Sequence, residues 1–231
     1  MSRPSIRRAI RRAGLTPPPR PPRPPGPRNL GTPPPPLIFL PGEPSDAGLV
    51  DFAGLFGRSA PVELEIGTGK GRFLLQEAAA HPERNYLGVE IETEYALIAR
   101  ARAQAAGLAN VRIEKLDGKL FVTRRLAPAS LSGLHVYFPD PWPKRRHHKR
   151  RLFDPAFAAA AAAALAPGGL LRVASDHASY FGLIREVLEG EASLERVPDE
   201  ETGPWEAGTH YEVKFRRSGR AIHRLVFRRR A

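Results

Sequence analysis

Four acidic residues of this 231-residue chain stand where a carboxylate can do chemistry. Asp140 lies in "YFPDPWPKRRHHKRR", residues 137–151, clamped between Pro139 and Pro141. Trp142 and Pro143 follow, and then eight residues that are all Lys, Arg or His. A carboxylate in such a turn can act as a general base, a metal ligand or a fixed anion facing positive charge. Metal binding fits poorly: His147 and His148 lack chelating spacing and no second carboxylate is near, so no metal is expected. The other three acids surround a glycine loop. "ELEIGTGKGRF" places Gly67, Gly69 and Gly71 between a strand and a helix, with Glu65 two residues before the first glycine. Glu90 and Asp117 follow at the ends of the next two strand-like runs.

The elements that carry these residues alternate. Strand patterns cover 62–66, 85–91, 111–116, 133–138 and 170–175. Helical patterns cover 70–80, 93–107, 118–126, 155–166 and a stretch through about 188. The alanine run "PAFAAAAAAALA" is explained by helix propensity alone and is stopped by "PGG". Such alternation predicts an α/β fold, a Rossmann-like sheet with helices on both faces. The end of the chain reads differently. "THYEVKFRR", "SG" and "AIHRLVFRR" alternate as the two arms of a C-terminal antiparallel hairpin, which favours the class I methyltransferase sheet over the dehydrogenase sheet. In an open sheet of this kind all four acids fall at carboxyl ends of strands, where ligands bind.

That placement constrains the ligand. A carboxylate ending the second strand can take both ribose hydroxyls, and one ending the third can hold an adenine edge. The spacing G-x-G-x-G differs from the G-x-G-x-x-G that favours a pyrophosphate. A nucleoside carrying a cationic centre and no phosphate fits best, namely S-adenosylmethionine, with NAD as the alternative.

Charge is unevenly placed. The formal net charge is +12, yet residues 1–28 hold eight Arg and no acid, and residues 144–151 hold six Lys or Arg and no acid. Removing those fourteen charges leaves the remainder at 12 − 14 = −2. A polyanionic partner is expected at the tail and at the loop after Asp140. Residues 1–45 contain fifteen of the 25 prolines. They are expected to form a disordered or polyproline II tail, either solubilising or RNA-contacting, ahead of a catalytic domain over 46–231. "SIRRAIRRAGL" within this tail matches one short basic helix. No cysteine is present, which excludes disulfides and thiolate catalysis. No apolar run approaches the ~18 residues a membrane span needs. With a basic start that leads into prolines rather than an apolar signal core, a cytoplasmic location is expected.

"FPDPWPKRRHHKRR", "LEIGTGKG" and "GTHYEVKF" together resemble the bacterial tRNA (guanine-N7-)-methyltransferase family, in order, from about residue 54 to the end. The resemblance implies methyl transfer from S-adenosylmethionine to N7 of a guanine in tRNA, guanine 46 of the variable loop, by a monomer or homodimer. It implies Asp140 as the catalytic carboxylate and a cofactor neighbour. Glu65, Gly67, Gly69, Gly71, Glu90 and Asp117 become cofactor contacts. Lys144, His147, Arg150, Asp176 and the segment Thr209, His210, Tyr211, Glu212 become substrate contacts. Ser175 stands where the family usually has Thr, and the proline-rich start departs from the family's usual N-terminal segment. Three other readings keep the same fold. They are an exocyclic-amine methyltransferase with a displaced proline in its turn, a small-molecule methyltransferase, and an RNA-binding protein without catalysis.

Overall fold

A computed structural model describes residues 48–198, 201 and 208–231. The proline-rich segment 1–45, with the stretch expected to form a short basic helix, the boundary at 45/46 and Trp205 lie outside the described residues. The first described helix, α1, is Phe52–Phe56, and β1 (Val62–Ile66) leads into α2 (Arg72–Ala80). Then come β2 (Asn85–Glu90), α3 (Thr93–Ala105), β3 (Val111–Lys115), α4 (Gly118–Arg125) and β4 (Leu131–Tyr137). A 3-10 turn, Arg145–Arg150, precedes α5 (Pro155–Ala164), β5 (Leu165–Ser175), α6 (Ala178–Glu189) and β6 (Leu194–Arg196). Helix α7 (His210–Arg217) and β7 (His223–Arg229) close the chain.

The strands form one seven-stranded sheet in the order β3-β2-β1-β4-β5-β7-β6. The first five are parallel, and β7 runs antiparallel to both β5 and β6. Strands β1 and β2 are buried along their whole length, as expected of parallel strands covered on both faces. One core cluster joins β1, β4, β5 and β7 to α5 and α6 through Leu64, Leu134, Leu171, Phe157, Ile184 and Phe227. A second joins α2 and α3 to β2 and β3. The alanines of α5 earn their place in the first cluster: Ala158, Ala161, Ala162 and Ala164 are buried against it. Asp154 caps that helix by accepting a hydrogen bond from the Phe157 N–H at 2.8 Å, and Pro155 opens it, a favoured start.

The predicted α/β class, sheet type and C-terminal antiparallel strands are all present, but two segments differ. The antiparallel pair consists of β6 and β7, with Leu194 opposite Arg229. "THYEVKFRR", expected as a hairpin arm, is instead helix α7. Thr209 caps it, its Oγ1 accepting the Glu212 N–H at 3.0 Å. T-x-x-E is a helix-start signature, and the cap marks where α7 begins, against the local strand propensity of its Tyr and Val. Strand β5 also starts five residues before the expected 170, pairing Leu165 with Leu131 across a register shift.

Candidate active site

The loop after β1 shows what its glycines are for. Gly67 and Gly69 adopt left-handed φ values of 73° and 54°, a region open to glycine at no steric cost. A Cβ built on either would meet nothing within 4 Å, so both face open space at the carboxyl edge of the sheet. The loop amides are used internally. Gly67 and Thr68 N–H donate to the Val89 carbonyl at 2.8 and 3.4 Å, and Gly71 N–H donates to the Thr68 carbonyl at 2.9 Å. Gly69 N–H donates to Glu90 Oε2 at 2.7 Å. A pyrophosphate-binding loop keeps such amides for the phosphates. Here they are committed, which favours a ligand without phosphate.

Glu90, the last residue of β2, is held from both sides. Its Oε2 takes the Gly69 amide and its Oε1 takes the Glu92 amide at 2.9 Å. Each oxygen keeps acceptor capacity in a fixed orientation, suited to a pair of vicinal hydroxyls. Glu65, on β1, is 3% exposed and accepts the Thr68 hydroxyl at 2.6 Å. Burial pushes its carboxyl up to about 8, with the Thr68 hydrogen bond opposing and the nearby Glu90 charge assisting. Two residues earlier on the same strand, Glu63 goes the other way. Burial raises it, but hydrogen bonds and charges from His135 and Arg84 outweigh that and hold it at about 2. His135 Nε2 lies 2.6 Å from Glu63 Oε2, and its Nδ1 lies 2.8 Å from the Tyr137 hydroxyl.

A cavity of about 340 Å³ opens beside this loop, with Glu65, Thr68, Arg72, Tyr95, Tyr137 and Tyr211 in its wall. Thr209 also lines it, so the cap of α7 and the glycine loop face one space. The sequence singled out Glu65, Gly67, Gly69, Thr209 and Tyr211 among these. It missed Thr68, Arg72, Tyr95 and Tyr137: Thr68 and Arg72 stand within the glycine-loop stretch and Tyr137 opens the Asp140 stretch, but none was given a role there, and Tyr95 lies in no motif.

Asp140 is exposed and lies outside the wall of the cavity. It lies near the rim, since Phe138, two residues before it, has its ring centroid 6.2 Å from that of Tyr211, which lines the cavity. The Asp140 turn is strained at both shoulders, since Phe138 has φ 54° and Trp142 φ 43°. Non-glycine residues rarely hold such values without compensating contacts. Phe138 is compensated by Phe215 and Tyr211, with ring centroids 5.4 and 6.2 Å away. Trp142 is compensated by Arg150, 5.1 Å above its ring, and by His147 at 5.8 Å. Arg151 completes the turn, donating to the Pro141 carbonyl at 2.9 Å.

The remaining expected positions divide. Lys144 and Arg150 are exposed at the two ends of the basic turn. Asp176 is engaged by Arg220 at 2.7 Å. Glu212 is 6% exposed and accepts from Arg216 at 2.6 Å and from Arg224. Asp117 is exposed and caps α4, its Oδ1 accepting the Leu120 N–H at 3.0 Å. Gly71, at φ 76°, lies under Ala99 rather than facing the open space.

Residues 59–225 match a family model described as "Putative methyltransferase". A tRNA (guanine-N(7)-)-methyltransferase of Halorhodospira halophila is 41% identical over 192 residues, covering 80% of this chain and 82% of that protein. The chain belongs to the tRNA (guanine-N(7)-)-methyltransferase family. A second member, from Thiobacillus denitrificans, is 41% identical over 200 residues, covering 84% and 86%. Beyond the family, the fold is shared with the 16S rRNA methyltransferase KamB, at TM-score 0.53 and 18% identity, over 79% of this chain and 95% of that one. Among the described residues no helix is long and apolar enough to cross a membrane.

Proposed function

We propose that this enzyme methylates N7 of a guanine in tRNA, at position 46 of the variable loop, in the cytoplasm and as a monomer or homodimer. The observation that carries the reading is the combination of 41% identity to named tRNA (guanine-N(7)-)-methyltransferases with the Asp140 turn standing beside a phosphate-free nucleoside cradle. S-adenosylmethionine fits that cradle. Glu90 would hold its ribose, the open faces of Gly67 and Gly69 would admit it closely, and Glu65 and the cavity beside it would hold its amino-acid end. When bound, it supplies an electrophilic methyl group on a cationic sulfur.

The chain's own residues have a limited task. Guanine N7 carries a free lone pair at neutral pH, so accepting a methyl group there releases no proton and no general base is required. The methylated base is left with a positive charge. Asp140, held rigid by Pro139, Pro141 and the packed shoulders of its turn, is a fixed anion for that charge. Its oxygens can also accept from N1 and N2 of guanine, donors that adenine lacks. Lys144, Arg150 and the rest of the basic turn neutralise phosphates, which positions RNA without reading its sequence. Trp142 offers a flat ring on which a base can stack. Thr209 and Glu212, being buried and engaged with α7 itself, shape the substrate segment, while Tyr211 presents its ring to the cavity.

Labelled S-adenosylmethionine supplied with two tRNA transcripts that differ only at position 46, guanine against adenine, tests the reading. Label recovered as 7-methylguanosine from the guanine transcript alone is the expected result. Label on an exocyclic amine, or none despite tight tRNA binding, would overturn it. Asp140→Ala is expected to lose turnover and keep most of its tRNA affinity.

A further inference from the structure

The cavity wall contains a donor that the protein leaves unanswered. Arg72, the first residue of α2, lines the cavity together with Glu65. Its Nε is buried and finds no hydrogen-bond acceptor among the described residues. Its neighbours are accounted for: Lys70 lies over the Tyr95 ring at 5.3 Å, and Arg102 donates to the Lys70 carbonyl at 3.0 Å. A buried guanidinium N–H without an acceptor is costly, and a planar fork of donors is matched by a carboxylate. Glu65 shares the same wall and brings a carboxyl group of its own.

A buried acid and a guanidinium whose buried Nε is unanswered, on one wall, are complementary to an α-amino acid, which carries an ammonium and a carboxylate on one carbon. They match neither ribose nor adenine, which are uncharged. An RNA phosphate fits less well, because a cavity of about 340 Å³ has little room for its flanking backbone. We propose that Arg72 is the residue that recognises the α-carboxylate of the cofactor's amino-acid end, while Glu65 serves its ammonium. The inference rests on the reading of the cofactor given above. It assigns to Arg72 a specificity role: ligands that carry the full amino-acid end are held, and nucleosides lacking the carboxylate are not.

Isothermal titration of the full chain with S-adenosylhomocysteine and with its decarboxylated analogue separates the two ideas. The wild-type chain is expected to prefer S-adenosylhomocysteine by about tenfold to a hundredfold, the range of a charged hydrogen bond. Arg72→Gln is expected to lose that preference, with the analogue's affinity moving less than about twofold. Arg72→Lys, which keeps the charge and loses the fork, is expected to retain an intermediate preference. It also serves as the informative variant if the glutamine protein does not fold, as judged by circular dichroism. Discrimination that survives in both variants would overturn the proposal, as would equal weakening of both ligands. A wild-type chain that binds the two ligands equally would overturn it while leaving the cofactor reading intact. A wild-type chain that binds neither would sink the cofactor reading itself. Reduced tRNA affinity in Arg72→Gln, with ligand discrimination unchanged, would assign the anion to RNA phosphate instead.

Discussion

Glu63 and Glu65 lie two residues apart on β1 and so point to the same face, yet their surroundings drive them in opposite directions. Glu63 meets Arg84 and His135 and is held at about 2. Glu65 is pushed to about 8 by burial, with the nearby Glu90 charge assisting and the Thr68 hydroxyl opposing. The native chain therefore holds a proton on Glu65 that the unfolded chain has already released above its ordinary value of 4.5. Stability is lost as pH rises between about 4.5 and 8, because the native state binds more protons than the unfolded state throughout that window. Glu63 contributes the reverse. Its stabilisation is present above 4.5 and disappears as pH falls towards 2, outside the working range. Glu65→Gln should remove the alkaline loss and make the variant more stable than wild type at pH 9, by an amount of order 3 kcal/mol. It should also abolish the gain in affinity for a cationic ligand that is expected of the wild type as pH rises through 8. Urea unfolding at pH 6 and pH 9 measures the first effect. An identical pH slope in both proteins would mean that Glu65 is already ionised in the native state.

At the scale of elements, the parallel part of the fold was legible and α7 was not. Strands β1 to β4 were marked by short segments carrying Val, Ile, Leu and Tyr between helical patterns, and their ends placed Glu65, Glu90, Asp117 and Asp140 on one edge without further information. The sequence of α7 alternates as a strand does, and its Thr, Tyr and Val favour that state locally. Long-range partners decide the outcome. Glu212 is buried against Arg224 of β7, and Tyr211 and Phe215 pack on Phe138 of the Asp140 turn. None of those pairings is visible in the local pattern. The cavity wall was hidden for the same reason, since Arg72, Tyr95 and Tyr137 converge from three elements. Helix α7 thus ties the shoulder of the Asp140 turn to β7, and its cap should govern how firmly it does so. Thr209→Ala should cost about 1 kcal/mol and speed amide exchange across 210–217, whereas Thr209→Ser should behave as wild type. Exchange over that segment unchanged by the alanine would show that tertiary contacts alone hold the helix. The measurement is native-state hydrogen exchange read by mass spectrometry.

On the scale of the whole molecule, the arrangement of charge matters more than its total. The basic turn Arg145–Arg150 begins five residues beyond Asp140, and α7 brings Lys214, Arg216 and Arg217 through its last turn. Since α7 packs on Phe138 through Phe215 and the basic turn packs on Trp142 through Arg150, both cationic elements flank the Asp140 turn. The tail adds eight arginines within residues 1–28. Each phosphate neutralised releases counterions, so the dependence of tRNA affinity on salt counts contacts rather than sequence. Replacing Arg145, Arg146 and Lys149 together by Ala should weaken binding and lower the slope of log K against log salt by up to about one per lost contact. The site of methylation should stay the same, because phosphate contacts position without specifying. Deleting residues 1–45 distinguishes the two roles open to the tail. An RNA-contacting arm predicts a further fall in slope, additive with the turn variant because the two sets of contacts are independent. A solubilising tail predicts a slope equal to that of the full chain at every salt concentration, with the loss seen only as aggregation. Filter binding at four salt concentrations for the wild type, the turn variant, the deletion and their combination gives the count directly. A combined slope equal to that of the turn variant alone would remove the tail from the binding surface and leave the basic turn and α7 as its cationic frame.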